Sequence, residues 1–247
     1  MAKLHGPLPI TGKLNGLVYF KSGDEFKVRL APRINKERYK NAPEFSRFRN
    51  QMKDFGTIAK ANKMLRHAFR QEHKFLPQKN ILTRLGRQLG TVISTDPVNR
   101  RGSRSFNNAD FSQLKGFEFN EKCTLYSQFK AHFESGISQR EGRAWIRIPA
   151  FSIYGNVARA GTATHFRLIS ASAEIDFEQE QVKTTHNASR MISLNDTECE
   201  EILLAHMHQP DAEGALFMVF GIVYYFLDDD RPLLTGAALR MVETCNE

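Results

Sequence analysis

The apolar pattern of this 247-residue chain changes period once, and that change restricts the fold more than any other feature. Between Asn41 and Leu89 hydrophobic side chains recur every three or four residues, the spacing of one helix face. Beyond residue 115 they alternate with polar ones, the spacing of half-buried strands. Helices grouped ahead of strands imply an α+β fold rather than alternating βαβ units. The expected architecture is an N-terminal β-hairpin and helices, followed by an antiparallel β-sandwich-like domain.

The helical signal is strongest over 41–70. Asn41 is a candidate cap, Pro43 suits a first turn, and Glu44 sits where the helix dipole favours an anion. Phe45, Phe48, Met52, Phe55 and Ala59 form one stripe; Ile58, Ala61, Met64, Leu65, Ala68 and Phe69 form another. At roughly 100° per residue the second stripe is rotated about 120° from the first. The segment is therefore expected to bend or break at Gly56, with Thr57 as a second cap, or to pack against two partners. Its first half is read as core. A second helix is expected over Lys79 to Leu89, with Ile81, Leu82, Leu85 and Leu89 inward.

Strand signals flank these helices. Gly16 to Phe20 and Glu25 to Leu30 read as a hairpin about Ser22-Gly23-Asp24. Downstream, strands are expected around Phe117–Phe119, from Cys123 to Phe133, over Arg143–Pro149 and over Phe166–Phe177. Thr197 to His206 fits a short helix or a strand. Ala215 to Leu227 is a nearly continuous apolar run, as for a strand covered on both faces. Asp228-Asp-Asp230 reads as a turn and Leu239 to Thr244 as the closing strand. The chain thus divides into an extended arm (1–15), a basic hairpin-plus-helix region (16–93), a linker or loop (94–110) and a mostly β domain (111–247). Nineteen Phe against one Trp suggest aromatic core packing.

Charge divides along the same line. Residues 1–110 hold 23 Lys and Arg against 8 Asp and Glu, whereas the remainder holds 12 against 19. Such polarity suits a polyanion partner, head-to-tail association, or pairing of the two halves. Cys123, Cys199 and Cys245 are too few and too far apart for a disulfide framework. No stretch approaches the roughly 20 apolar residues of a membrane helix, and no secretory signal opens the sequence. A cytoplasmic location is expected.

Catalytic signatures are missing: there is no GxSxG, no Walker A sequence and no GxGxxG opening a βαβ unit. The Asp54-Phe55-Gly56 triplet lies in a helical pattern and has no kinase context. On a strand His206 and His208 would face one way, yet two histidines alone are a weak metal signal. Glu174, Asp176, Glu178 and Glu180 read as one solvent-facing strand edge, or as a receiver for the basic half of another copy.

The block KLNGLVYFKSGDEFKVRLAP, then SRFRNQMKDFGTIAKANKMLRHAF, and the end LFMVFGIVYYFLDDDRPLLTGAALRMV carry a resemblance to a family of uncharacterised proteins from Bacteroidota. That resemblance implies a Gly-rich hairpin, a basic connector, a helix and a C-terminal strand pair. It supplies no activity, cofactor or site residue.

These readings predict a non-catalytic binding or structural protein, with no cofactor and no metal. Its basic half would engage nucleic acid or a ribonucleoprotein through Lys60, Lys63, Arg66, Arg70, Arg100, Arg101 and Arg104. The alternative is a self-assembling subunit of a particle, phage- or secretion-related, in which basic and acidic surfaces of neighbouring copies meet.

Overall fold

The computed structural model of the chain describes residues 2–3, 10–31, 36–77, 80–211, 214–226 and 229–245. The chain forms two compact units, residues 1–49 and 50–247.

In the first unit β1 (Ala2–Lys3), β2 (Gly12–Leu14), β3 (Leu17–Ser22) and β4 (Glu25–Leu30) make an antiparallel sheet in the order β1-β4-β3-β2. The hairpin lies where the alternation placed it, closing at Ser22 opposite Glu25. Part of the expected arm is therefore strand, while residues 4–9 lie outside the described residues. The basic connector 33–40 is described only from Lys36, where α1 (Lys36–Asn41) begins. Asn41 ends that helix instead of capping the next. The extended Ala42 and Pro43 start a 3-10 turn that leads into α2 (Ser46–Ala68). Arg49 Nη1 ties the approach by donating to the carbonyls of Tyr39 and Ala42, both at 2.9 Å.

The second unit has three layers. The helical layer comprises α2, α3 (Arg70–His73) and α4 (Ile81–Val92), followed later by the single turn α5 (Leu125–Gln128). The strands are β5 (Glu134–Ser138), β6 (Arg143–Ile148), β7 (Phe151–Ser152), β8 (His165–Asp176), β9 (Gln181–Ala188), β10 (Ile192–Ser193), β11 (Glu198–Cys199), β12 (Ile202–Met207), β13 (Ala215–Phe226) and β14 (Asp229–Cys245). An antiparallel sheet runs β10-β8-β13-β14, with β9 also pairing with β8; a second runs β12-β6-β5.

Strand periodicity sets the layering. Ile169, Ala171, Ala173 and Ile175 of β8, with Phe217 and Val219 of β13, face the helices. The alternate residues Phe166 and Leu168, with Met218, Phe220, Ile222 and Tyr224, face the three-stranded sheet. Every residue of β13 except Phe226 is buried, as the apolar run predicted. Phenylalanines join the layers: Phe111 meets Phe217 edge-on at 4.9 Å and stacks on Phe177 at 5.4 Å. Between helices, Gly86 and Gly90 bring α4 close to Asn62 and Ile58 of α2.

Several expectations are corrected. Helix α2 runs unbroken through Gly56. The rotation between its stripes is real, but only the second stripe enters the core: Ile58, Ala61, Met64, Leu65 and Ala68 are buried, while Phe48, Met52 and Phe55 are each about half exposed. Asp54 takes the inward position of that first half. Leu82 also faces outward. The strand expected over 123–133 does not form: the Thr124 hydroxyl caps the helical turn α5 by accepting from the Ser127 N–H, and only an isolated bridge at Phe129 follows. Of the two alternatives left open for 197–206, the strand is the one found, over 198–199 and 202–207. Asp228 lies outside the described residues, and the last strand already begins at Asp229.

The segment 94–110 is a loop packed within the second unit. Phe106 and Ala109 are buried, and Asp96 accepts from the backbone N–H groups of Val98, Asn99 and Ser105 and from the Asn99 amide. Burial alone would raise the Asp96 carboxyl, but those hydrogen bonds outweigh it and hold it down at about 2.

Candidate polyanion interface

Helix geometry concentrates cations on the outer face of α2. Its buried residues lie around one direction, and Lys60, Lys63 and His67 are exposed on the opposite side; Arg70, the first residue of α3, is exposed just beyond its end. The spacing of three and four residues keeps Lys60, Lys63 and His67 within about 60° of one another. Lys74 continues the spacing after α3 and is also exposed. Met52 and Phe55 expose apolar surface on the preceding turns of the same outer half.

Partners distinguish these cations. Lys60 Nζ lies 2.7 Å from Glu180 Oε1. The Lys60 hydrogen bond, its charge and then the Lys63 charge hold the Glu180 carboxyl below its ordinary range. Among the described residues Lys63, His67 and Arg70 have no carboxylate within ion-pair reach. Arg66 is half-buried on the flank, where Nε donates to Asn62 Oδ1 at 3.0 Å; the Asn62 amide in turn donates to the Leu82 carbonyl at 2.8 Å.

The arginines of 94–110 belong elsewhere. Their loop crosses the inner side of α2, where the Gly102 N–H donates to Asp54 Oδ1 at 2.8 Å. Gly102 has φ +92°, and a side chain there would strike Asn50 at 2.6 Å. Arg100 and Arg101 are exposed. Arg104 is half-buried, with Nη1 donating to Ser94 Oγ at 3.3 Å. Of the seven predicted residues, Lys60, Lys63 and Arg70 thus share one surface, Arg66 borders it, and the other three lie on a separate loop. His67 was missed although its spacing to Lys63 and Arg70 carried the signal.

A second polar concentration lies between the sheets. His206 on β12 is 2% exposed; its Nε2 lies 2.8 Å from Ser170 Oγ and its Nδ1 3.0 Å from Thr185 Oγ1. His208 Nε2 lies 2.8 Å from Ser172 Oγ. The two histidines do face one way, as strand spacing predicted, but each is bonded to a serine. Burial, reinforced by the charges of His208 and His186, depresses His206 to about 4. Burial also lowers His208, with Glu174 opposing and Lys183 assisting.

Nor do the four carboxylates share a solvent-facing edge. Glu174 is buried and 3.4 Å from Lys183 Nζ, β8 ends at Asp176, and Glu178 and Glu180 lie in the β8–β9 turn. Asp176 Oδ1 accepts from the backbone N–H groups of Glu178 and Gln179, which turns the chain and ends the alternation. Of the two Ser–His pairs, Ser170 and His206 are both buried between the sheets, whereas His208 is half-buried.

Among the described residues no helix is long and apolar enough to cross a membrane, and no group of three His, Cys, Asp or Glu side chains is placed to hold a metal. No family model matches the chain, and neither the curated proteins nor the solved structures compared with it contain a match.

Proposed function

We propose that the protein is a non-catalytic binder of single-stranded nucleic acid, with the outer face of α2 as its phosphate-contacting surface. One observation carries this reading: Lys63 and His67 lie exposed on the outer face of α2, Arg70 is exposed at the start of α3, and no carboxylate of the described chain pairs with them. Basic side chains so placed neutralise phosphates and release counterions. The half-exposed Phe55, on the turns of α2 that precede them, offers a ring on which a base can stack.

Assembly through basic-to-acidic contacts between copies has less support. Two of the carboxylates expected to receive a neighbour, Glu174 and Glu180, already pair with Lys183 and Lys60 of the same chain.

Fluorescence anisotropy with a mixed-sequence single-stranded oligonucleotide tests the proposal. For about four phosphate contacts the logarithm of affinity falls against the logarithm of salt with a slope near −3. The double substitution Lys63→Glu with Arg70→Glu lowers affinity at least tenfold and flattens that slope. Absence of binding at low salt refutes the proposal.

A further inference from the structure

Where α3 gives way to the residues that follow it, a cavity of about 240 Å³ is walled by Gln71, Lys74, Phe75, Arg167, His186 and Tyr225. Its charges are unbalanced. The one carboxylate in its lining, Glu72, is 5% exposed and engaged by His186 Nδ1 at 2.7 Å, while its other oxygen is shut off from solvent. Glu72 Oε2 has no hydrogen-bond partner, but it is closed to solvent, so a ligand in the open part of the cavity does not touch it.

Arg167 is different. It interrupts the apolar β8 between Phe166 and Leu168, both fully buried. Its guanidinium sits 5.8 Å over the Tyr225 ring, and its Nε is closed to solvent with no hydrogen-bond partner. No carboxylate of the described chain forms an ion pair with it. Lys74, the other cation of the cavity, lies 4.8 Å from the Phe75 ring and pairs with no carboxylate among the described residues. Arg167 as a whole is half-buried rather than enclosed, so an incoming anion would meet the terminal nitrogens of its guanidinium and supply the counter-charge that no carboxylate of the described chain provides. A planar guanidinium is suited to two-point contact with phosphate oxygens, and the two rings provide apolar walls for the group attached to it.

Lys74 also continues the three-or-four-residue spacing of Lys63, His67 and Arg70, so the helix face leads along the chain to this cavity. We propose that the cavity is a phosphate-monoester subsite that receives the terminal phosphate of a nucleic-acid strand lying along α2. A terminal monoester carries close to two negative charges and an internal diester only one, so the subsite selects strand ends. The inference rests on the helix-face reading for the source of its ligand, and on Arg167 for the subsite itself.

Anisotropy with one oligonucleotide sequence, bearing a 5′-phosphate, a 3′-phosphate or hydroxyls at both ends, tests it together with titration of adenosine monophosphate against adenosine. One phosphorylated form is expected to bind about tenfold more tightly than the hydroxyl form. Arg167→Gln removes that preference and leaves hydroxyl-form binding within twofold. Lys74→Gln, at an exposed position that tolerates change without unfolding, reduces the preference in the same direction. Equal binding of all three forms, or a preference that survives both substitutions, overturns the subsite while the helix-face reading stands. If no oligonucleotide binds but adenosine monophosphate does so through Arg167, the subsite stands and the helix-face reading fails. If neither binds, both fall.

Discussion

His206 makes the stability of this protein depend on pH in a way that can be isolated. The imidazole is enclosed between Ser170 on β8 and Thr185 on β9, with His208 two residues on, just past the end of β12. Burial holds it neutral, with a folded pKa of about 4 against 6.5 for an ordinary histidine. The unfolded chain therefore takes up a proton that the folded chain refuses. Stability from this group is fully present above pH 6.5 and is lost as pH falls toward 4. Across that whole interval the loss is about 3 kcal/mol, and by pH 5 about 2 kcal/mol of it is gone. His208, also lowered, changes stability in the same direction. Urea unfolding at pH 7.5 and pH 5.0 measures the loss, and His206→Gln removes this group's share. The variant starts lower at pH 7.5, by about 1–2 kcal/mol for the disturbed hydrogen bonds. Its further loss on acidification is expected to be smaller than the parent's by about 2 kcal/mol. Equal losses in parent and variant would show that His206 is not held neutral, and the reasoning from burial would fail.

Three other outcomes follow from the packing. Gly221→Ala places a methyl group against the carbonyl oxygen of Ala238 in the adjacent strand, with Leu239 Cδ1 2.9 Å away; a loss of more than about 2 kcal/mol is expected by thermal unfolding. Asp96→Ala strips the shared acceptor from the N–H groups of Val98, Asn99 and Ser105, at a cost of about 2–3 kcal/mol, and hydrogen exchange at those amides accelerates. Because its carboxyl is depressed, the contribution of Asp96 in the parent is present above pH 3.8 and fades as pH falls toward 2. Lys60→Ala, by contrast, opens an exposed ion pair and changes unfolding free energy by less than about 1 kcal/mol.

The parts of this fold legible in the sequence were those where local pattern and tertiary burial agree. The hairpin about Gly23-Asp24, the inward residues Ile81, Leu85 and Leu89, and the doubly covered strand from Ala215 were all readable, because each face was set by one unambiguous period. Apolar spacing misled where a distant residue took the inward position. Phe48, Met52 and Phe55 have helical spacing, yet Asp54 turns inward because Gly102, 48 residues away, supplies its partner. The four alternating carboxylates failed as a strand edge because the backbone turns at Asp176, a side-chain-to-backbone contact that alternation does not encode. At the candidate site, the Lys60, Lys63 and Arg70 face was readable from helix geometry. The cavity was not, since Arg167 is joined to Lys74 only by the fold. A lone arginine within HFRLISASAEI was nevertheless a visible signal.

The paired contacts of His206 with Ser170 and His208 with Ser172 also limit how the two sheets slide. Apolar layers tolerate small displacements, because one methyl group replaces another at little cost. Displacing β12 along β8 by one strand repeat, about 6.8 Å, would bring His208 to Ser170 and set His206 against Leu168. Ser172 and His206 would then be polar groups without partners, each costing about 1–3 kcal/mol. The two histidines thus act as an alignment key. They add little to the depth of the native energy well but make it narrow along the one direction in which a sandwich of smooth faces would otherwise drift.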